Sequence, residues 1–309
     1  MSEITGLLNI IKPPGLTSFK VVQIIRRLAC QKKVGHTGTL DPLAVGVLPI
    51  CLGRATKLIR FLPEEKKQYI FEMELGIKTD TIDREGRILE KNNSWQALSI
   101  KDIKELLTEF QGEIGQVPPM YSAVKKDGEP LYKLARKGEN ITREERRVEI
   151  YSSNILAVDL PRIRISLLCS RGTYIRSLVR DIGDRLNCGA VLNFLLRTES
   201  GPFSLDKGLP LNQLAAEPNL IPEKLTSLKE PLSYQELTVK EDAFKYAING
   251  ASLYPHNFQK FSLSLENLSQ RYIITGPKDE FIAISKVIKD EQDNLCLHPE
   301  KVFYQANSS

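Results

Sequence analysis

The chain has 309 residues, of which 41% are hydrophobic and 26% charged, the proportions of ordinary folded domains. It contains no run of the roughly 18 apolar residues a membrane helix needs, and its five cysteines are odd in number, far apart and without a C-x-x-C pair, which excludes a disulfide framework and a cysteine zinc site. The net charge of +5 is uneven: residues 1–205 hold 32 Lys and Arg against 24 Asp and Glu, while residues 206–309 hold 11 against 14. A basic N-terminal part suits a polyanionic partner, because lysine and arginine release counterions from a phosphate backbone. The cysteines are expected to be small buried hydrophobes, and three dispersed histidines imply no metal. The opening "MSEITGLLNIIKPPG" lacks a basic leader and cleavage site, so a cytosolic location is expected.

In chain order, "GLLNIIK" reads as a strand and "PPGLTS" as a turn in which Thr17 or Ser18 caps a helix. Val21, Val22, Ile25, Leu28 and Ala29 then recur at helical spacing, with Arg26, Arg27, Lys32 and Lys33 near the end, where cations complement the helix dipole. A glycine- and proline-rich segment around Asp41 follows, then "RATKLIRFL" as a short helix. In "KQYIFEMELG", Tyr69, Phe71, Met73 and Leu75 alternate onto one strand face. Ser99 and Asp102 form a capping box for a helix with Ile103, Leu106, Leu107 and Phe110 inside and Gly112 as its stop. Residues 121–147 carry eight Lys and Arg against five acids, with Tyr121 and Tyr132 interleaved. "RIRISLLCS" is an alternating strand, and "TYIRSLVRDIGDRL" a helix that buries Ile175, Leu178, Val179, Ile182 and Leu186 while Arg176 and Arg180 project elsewhere. A connection with short helices, "LPLNQLAAEPNLIPEKL", precedes a unit beginning near Leu237 with one helix, "EDAFKYAING", and several short strands.

The phosphate-loop, dinucleotide, serine-hydrolase and HExxH signatures are all absent. What stands out is one carboxylate, Asp41, in "GHTGTLDPLAVGVLP". Taken alone it reads as an N-cap or an Asx turn before Pro42. The segment resembles, however, the active-site motif of the TruB family of tRNA pseudouridine synthases. The likeness continues in order through "GLLNIIKPPGLTS", "KQYIFEMELGIKTDTIDREG", "VPPMYSAVKKDGEPLYKLARKG" and "CSRGTYIRSLVRDIGDRLNCGA", covering most of residues 5–205.

The resemblance implies roles that residue types alone leave open. Asp41 becomes the nucleophile on the uridine. Arg176, otherwise a solvated arginine, becomes its salt-bridge partner, which a dry site needs because desolvation disfavours a lone carboxylate. Tyr69, otherwise a core aromatic, becomes the ring that stacks on the everted base and takes a proton from carbon. Leu195 walls the pocket, His36 supports displaced nucleotides, Lys12 buttresses the site, Asp83 lies in the covering loop and Tyr174 packs beside Arg176.

The implied fold is α+β: a large mixed, mostly antiparallel sheet flanked by helices, with residues 1–236 catalytic and residues 237–309 a small β-rich domain of the PUA type. Residues 117–147 form the insertion that clasps the T loop. The implied reaction is isomerisation of the uridine at position 55 of tRNA, without metal, cofactor or guide RNA, by a monomer that contacts the T arm and, through the C-terminal domain, the acceptor stem. The net negative charge of that domain departs from what an RNA grip would want. The alternative is a tRNA-binding or folding protein in which binding matters more than turnover; a guide-dependent synthase is a third reading.

Overall fold

The computed structural model describes residues 4–62, 66–122, 124–126, 128–139 and 141–305. It divides into two compact units, Met1–Thr56 with Glu64–Leu225, and Lys57–Pro63 with Thr226–Ser309. The first unit runs β1 (Gly6–Lys12), α1 (Ser18–Leu28), β2 (Val34–His36), β3 (Val45–Leu52), β4 (Lys67–Leu75), β5 (Ile77–Thr79), β6 (Ile88–Lys91), α2 (Ile100–Glu109), β7 (Gly112–Gln116), β8 (Lys125–Lys126), β9 (Glu129–Pro130), α3 (Leu131–Arg136), β10 (Arg146–Asp159), β11 (Arg162–Cys169), α4 (Ile175–Arg185), β12 (Ala190–Ser200), β13 (Phe203–Ser204), β14 (Leu209–Pro210), α5 (Leu211–Ala216) and α6 (Leu220–Glu223).

Among the described residues, ten strands form one sheet in the order β14-β1-β3-β12-β4-β11-β10-β7, with β2 added to β3 and β13 to β12. Its pairings are antiparallel except β1 with β14 and β3 with β12. The expected α+β class and mostly antiparallel sheet are therefore observed.

Period-two patterning explains β4, where Tyr69, Phe71, Met73 and Leu75 are all buried. Helical periodicity likewise explains α4, which buries Ile175, Leu178, Val179 and Ile182 in the same core. Both helix caps form as the sequence predicts. Thr17 accepts from the Lys20 N–H, and Ser99 and Asp102 exchange side-chain and backbone bonds, which hold the Asp102 carboxyl below its ordinary range.

The structure departs from the sequence expectations at four places. The strand β12 carries no turn-bounded alternation in "AVLNFLLRTES": apolar residues run together at Ala190–Leu192 and Phe194–Leu196, and two register shifts against β4 break the period of two. The long strand β10 is masked by the polar stretch around Ser152–Asn154 and by two register shifts against β11. "RATKLIRFL" forms two 3₁₀ turns rather than one helix. Finally, Cys30 is exposed: it follows the end of α1 with a positive φ of 50°, while the other four cysteines are buried as expected.

The second unit contains β15 (Gln235–Thr238), α7 (Glu241–Ile248), β16 (Arg271–Thr275), β17 (Phe281–Lys289) and β18 (Leu295–Val302). The strands form one sheet in sequence order around their own core of Leu237, Ile274, Ile282, Val287 and Leu297. The segment Lys57–Pro63 joins this unit through Phe61, whose carbonyl accepts from the Tyr234 hydroxyl at 2.7 Å and whose ring meets Phe303 edge-on. Among the described residues no helix is long and apolar enough to cross a membrane.

Candidate active site

The site is built on the loop between β2 and β3. Pairing of β2 with β3 brings His36 opposite Ile50, so residues 37–44 must close on themselves at the end of this hairpin. The loop is tied down at several points. The Ser18 hydroxyl accepts the Leu40 N–H at 2.8 Å and faces the Leu40 carbonyl at 3.0 Å. The Gly15 N–H donates to the Pro42 carbonyl at 2.8 Å, and Leu40, Leu43 and Ala44 are buried as apolar anchors. A loop so short of free backbone groups has few alternative conformations.

Lys12, at the end of β1, is fully buried and spends its ammonium on the carbonyls of Pro13, Leu16 and Pro42 at 2.8, 2.8 and 3.1 Å. It is thus a brace under the residue that follows Asp41. Burial pushes its pKa down to about 8, against the pull of Asp41 in the opposite direction. Since the unfolded value lies near ~10.4, the unfolded chain binds more protons than the folded one between about pH 8 and pH 10.5. Lys12 therefore opposes folding most strongly at and below pH 8, and its contribution improves as pH rises through that window. Urea midpoints of wild type and Lys12→Met, measured from pH 7.5 to 10, are expected to diverge in favour of wild type as pH rises. A constant gap would contradict the burial cost as the cause.

Asp41 does not use its side chain as the local cap its sequence position permits. Instead both carboxylate oxygens accept from Arg176, at 2.9 Å to Nε and 2.9 Å to Nη2. Arg176 lies in the first turn of α4, and its side chain is only 4% exposed, against 28% for that of Asp41. The pair is the one the resemblance implies, while the helical spacing alone, which sets Arg176 away from the core, is corrected: periodicity registers an arginine as polar whether its environment is water or a buried carboxylate. The remaining donors are also engaged: Nη2 donates to the Tyr121 carbonyl at 2.7 Å and Nη1 to the Thr81 carbonyl at 3.2 Å. Nη1 also lies 3.7 Å from the buried Asp83 carboxylate. Only the planar guanidinium fork can serve two carboxylates and two carbonyls from one side chain.

Asp83 is fixed in a tight loop by the Thr81 hydroxyl at 2.6 Å and the Glu85 N–H at 3.1 Å. It bridges to Leu192 of β12 through the backbone. Tyr174 occupies the N-cap position of α4, where its N–H donates to the Gln116 side chain at 2.7 Å, and burial raises its phenol pKa. Tyr69 is 6% exposed; burial raises its phenol pKa and the neighbouring Arg197 opposes that shift. In the β4–β12 ladder Tyr69 stands opposite Arg197, and Phe71 opposite Leu195. Leu195 is correspondingly buried in the core. His36 is half-buried, its Nδ1 has no partner among the described residues, and burial, Arg197 and Lys67 all lower its pKa.

The fold thus joins Asp41, Arg176 and Asp83 directly, braces the Asp41 loop with Lys12 through the Pro42 carbonyl, and sets Tyr69 and Leu195 side by side on one sheet face. Sequence reasoning missed four contributors. The carbonyls of Thr81 and Tyr121 act through backbone and leave no side-chain signal. Gln116 ends an edge strand, where a polar residue is unremarkable. Arg197 did leave a trace: an arginine two residues from buried Leu195, in the same inward register. Of the basic insertion, Ala123, Asp127 and Asn140 lie outside the described residues, as do the side chains of Lys125, Lys126, Tyr132 and Arg136.

The chain is similar to known proteins in both sequence and fold. Residues 26–175 match the model of the TruB family pseudouridylate synthase (N terminal domain). The tRNA pseudouridine synthase B of Clostridium kluyveri is 44% identical over 281 residues, covering 91% of this chain and 96% of the relative. That of Clostridium acetobutylicum is 49% identical over 249 residues, covering 80% and 85%. Among solved structures, a chain from an H/ACA RNP bound to a substrate RNA containing 2′-deoxyuridine superposes with a TM-score of 0.73 at 25% identity, covering 98% of this chain and 86% of its own. A chain of a Cbf5-Nop10-Gar1 complex gives 0.73 at 28% identity, covering 97% and 85%. The extent of these matches over both partners shows that the chain belongs to the TruB family of pseudouridylate synthases.

Proposed function

We propose that this protein isomerises uridine to pseudouridine in tRNA, at position 55 of the T loop, with Asp41 as the nucleophile. The observation that carries this reading is the asymmetric ion pair: the guanidinium of Arg176 is buried while the carboxylate it grips remains partly open. A purely structural salt bridge gains nothing from leaving its acid accessible. A nucleophile requires that opening, together with a cation fixed beside it.

The reaction breaks the bond from N1 to C1′, rotates the uracil and forms a bond from C5 to C1′; C5 gives up its proton and N1 gains one. Asp41 stands beside the sugar to attack or to stabilise the cation left at C1′. Tyr69 packs on the everted uracil and receives the C5 proton; burial holds its phenol neutral, and Arg197 beside it offsets part of that effect. Leu195 completes the apolar wall, and Asp83 and Lys12 hold Arg176 and the Asp41 loop in place. Eversion of the base costs a few kcal/mol, of which stacking on an aromatic ring returns about 1–3 kcal/mol.

The basic segment 117–147 is assigned to the T loop and the C-terminal unit to a PUA-type RNA contact. Arg176 connects the first of these to the chemistry, since it holds the Tyr121 carbonyl with the same nitrogen that reaches Asp41.

Tritium release from tRNA labelled at uridine C5 tests the activity, using naked transcript so that a requirement for guide RNA would appear as no release. Tyr69→Phe is expected to lower the single-turnover rate by about 10²–10⁴-fold, the range for loss of a general base, with little change in tRNA affinity. A rate close to wild type would remove the phenol from the mechanism while leaving the ring as a stacking surface.

A further inference from the structure

Arg197 is fully buried in the first unit, and no carboxylate lies within ion-pairing distance among the described residues. Burying a cation is costly unless polar groups replace its water. Here the replacements are carbonyls: Nε donates to Val47 at 2.7 Å, Nη2 to Gly38 at 3.1 Å and Nη1 to Thr39 at 3.4 Å. Val47 belongs to β3, whereas Gly38 and Thr39 belong to the loop that carries Asp41. The backbone of Arg197 is itself locked between two strands, opposite Gly46 of β3 and Tyr69 of β4. Gly46 has a φ of +110°, and a Cβ there would fall 2.2 Å from the Arg197 carbonyl, so the strands approach too closely for any other residue.

We propose that Arg197 is a positioning residue that clamps the Gly38–Thr39 backbone to β3 and so fixes Asp41 relative to Tyr69. A methionine of similar length would fill the same space if packing were all that mattered. It would leave three inward-facing carbonyls unsatisfied, two of them within three residues of the nucleophile. A guanidinium also ties the two reacting side chains to one strand, because Tyr69 is its cross-strand neighbour. A displacement of about 1 Å at a reacting group can cost about 10²-fold in rate.

This inference rests on the proposed reaction, so its test carries one readout independent of turnover. Arg197→Lys keeps the buried charge but offers one nitrogen where three carbonyls wait; Arg197→Met removes the charge. The single-turnover rate on tRNA is expected to fall about 10-fold in Arg197→Lys and about 10²-fold in Arg197→Met, with the dissociation constant for tRNA unchanged within about twofold. In both, hydrogen exchange at the Leu40 amide is expected to accelerate while the β1–β3 ladder stays protected. If Arg197→Met does not fold, Arg197→Lys decides alone. The clamp is overturned if folded variants keep the wild-type rate within about twofold. It is equally overturned if the rate falls only in step with tRNA affinity, or if Leu40 exchange is unaltered. Absence of isomerisation by wild-type protein would instead refute the proposed function, and the exchange measurement would still judge the clamp.

Discussion

Asp41→Asn is expected to lose about 10⁴-fold or more in turnover while tRNA binding stays within about threefold. The substitution keeps the shape of the side chain and changes only what the carboxylate supplies. One of the two oxygens that accept from Arg176 becomes an NH₂ group facing an N–H donor, so the bidentate contact is reduced to a single bond. The negative charge needed beside C1′ disappears with it. Stability should fall as well, since a buried guanidinium loses its principal counterion. Removing one member of a fully buried pair costs about 3–5 kcal/mol. Because Asp41 is partly exposed and Asp83 remains near, a smaller loss of about 1–2 kcal/mol is expected here. Tritium release, filter binding and urea melts on the same preparation separate the three effects. Turnover retained in this variant would end the assignment of Asp41 as nucleophile, whatever happens to stability.

The second large effect is at Arg176. Arg176→Met leaves Asp41 and the buried Asp83 without their shared cation, and the Thr81 and Tyr121 carbonyls without their donor. A folding cost of about 3–5 kcal/mol and a rate loss of about 10³-fold are expected. Arg176→Lys separates the two contributions. An ammonium preserves the charge, so most of the stability should return, but it cannot engage both carboxylate oxygens and two carbonyls at once. The rate should remain about 10²-fold low. A lysine variant with the full wild-type rate would show that charge alone matters and that the fork geometry is incidental.

These two residues show how far local pattern carries. Asp41 was legible as unusual because one acid stood among glycines, prolines and apolar residues, although its chemistry came only through resemblance to a family. Arg176 was not legible as a buried group. Its partner lies 135 residues away in sequence, and its helix presents a conventional apolar stripe that leaves the arginine on the nominally polar side. The strand β4 was evident from alternation, whereas β12, which carries Leu195 and Arg197, was not, because runs of apolar residues and two register shifts against β4 break its period-two signature. Cys30 failed in the opposite direction: cysteine is usually buried, but the residue just beyond a helix end takes the position the chain reversal dictates.

By itself the sequence determined the amphipathic helices with their caps, the alternating strands, the membership in a family of pseudouridylate synthases and the one acid, Asp41, to which the proposed chemistry is assigned. The helices, caps and strands depend on side chains within a few turns or strand residues of one another, so spacing is enough to read them; the family was read from motifs in order along residues 5–205. Tertiary structure alone decided which cations are dry, which backbone carbonyls they hold, and that the Asp41 loop is secured from β1, α1, α4 and β12 at once. Those properties arise when distant segments share one desolvated volume. The strength of an ion pair or a carbonyl clamp is set by that volume, not by the order of residues that enter it.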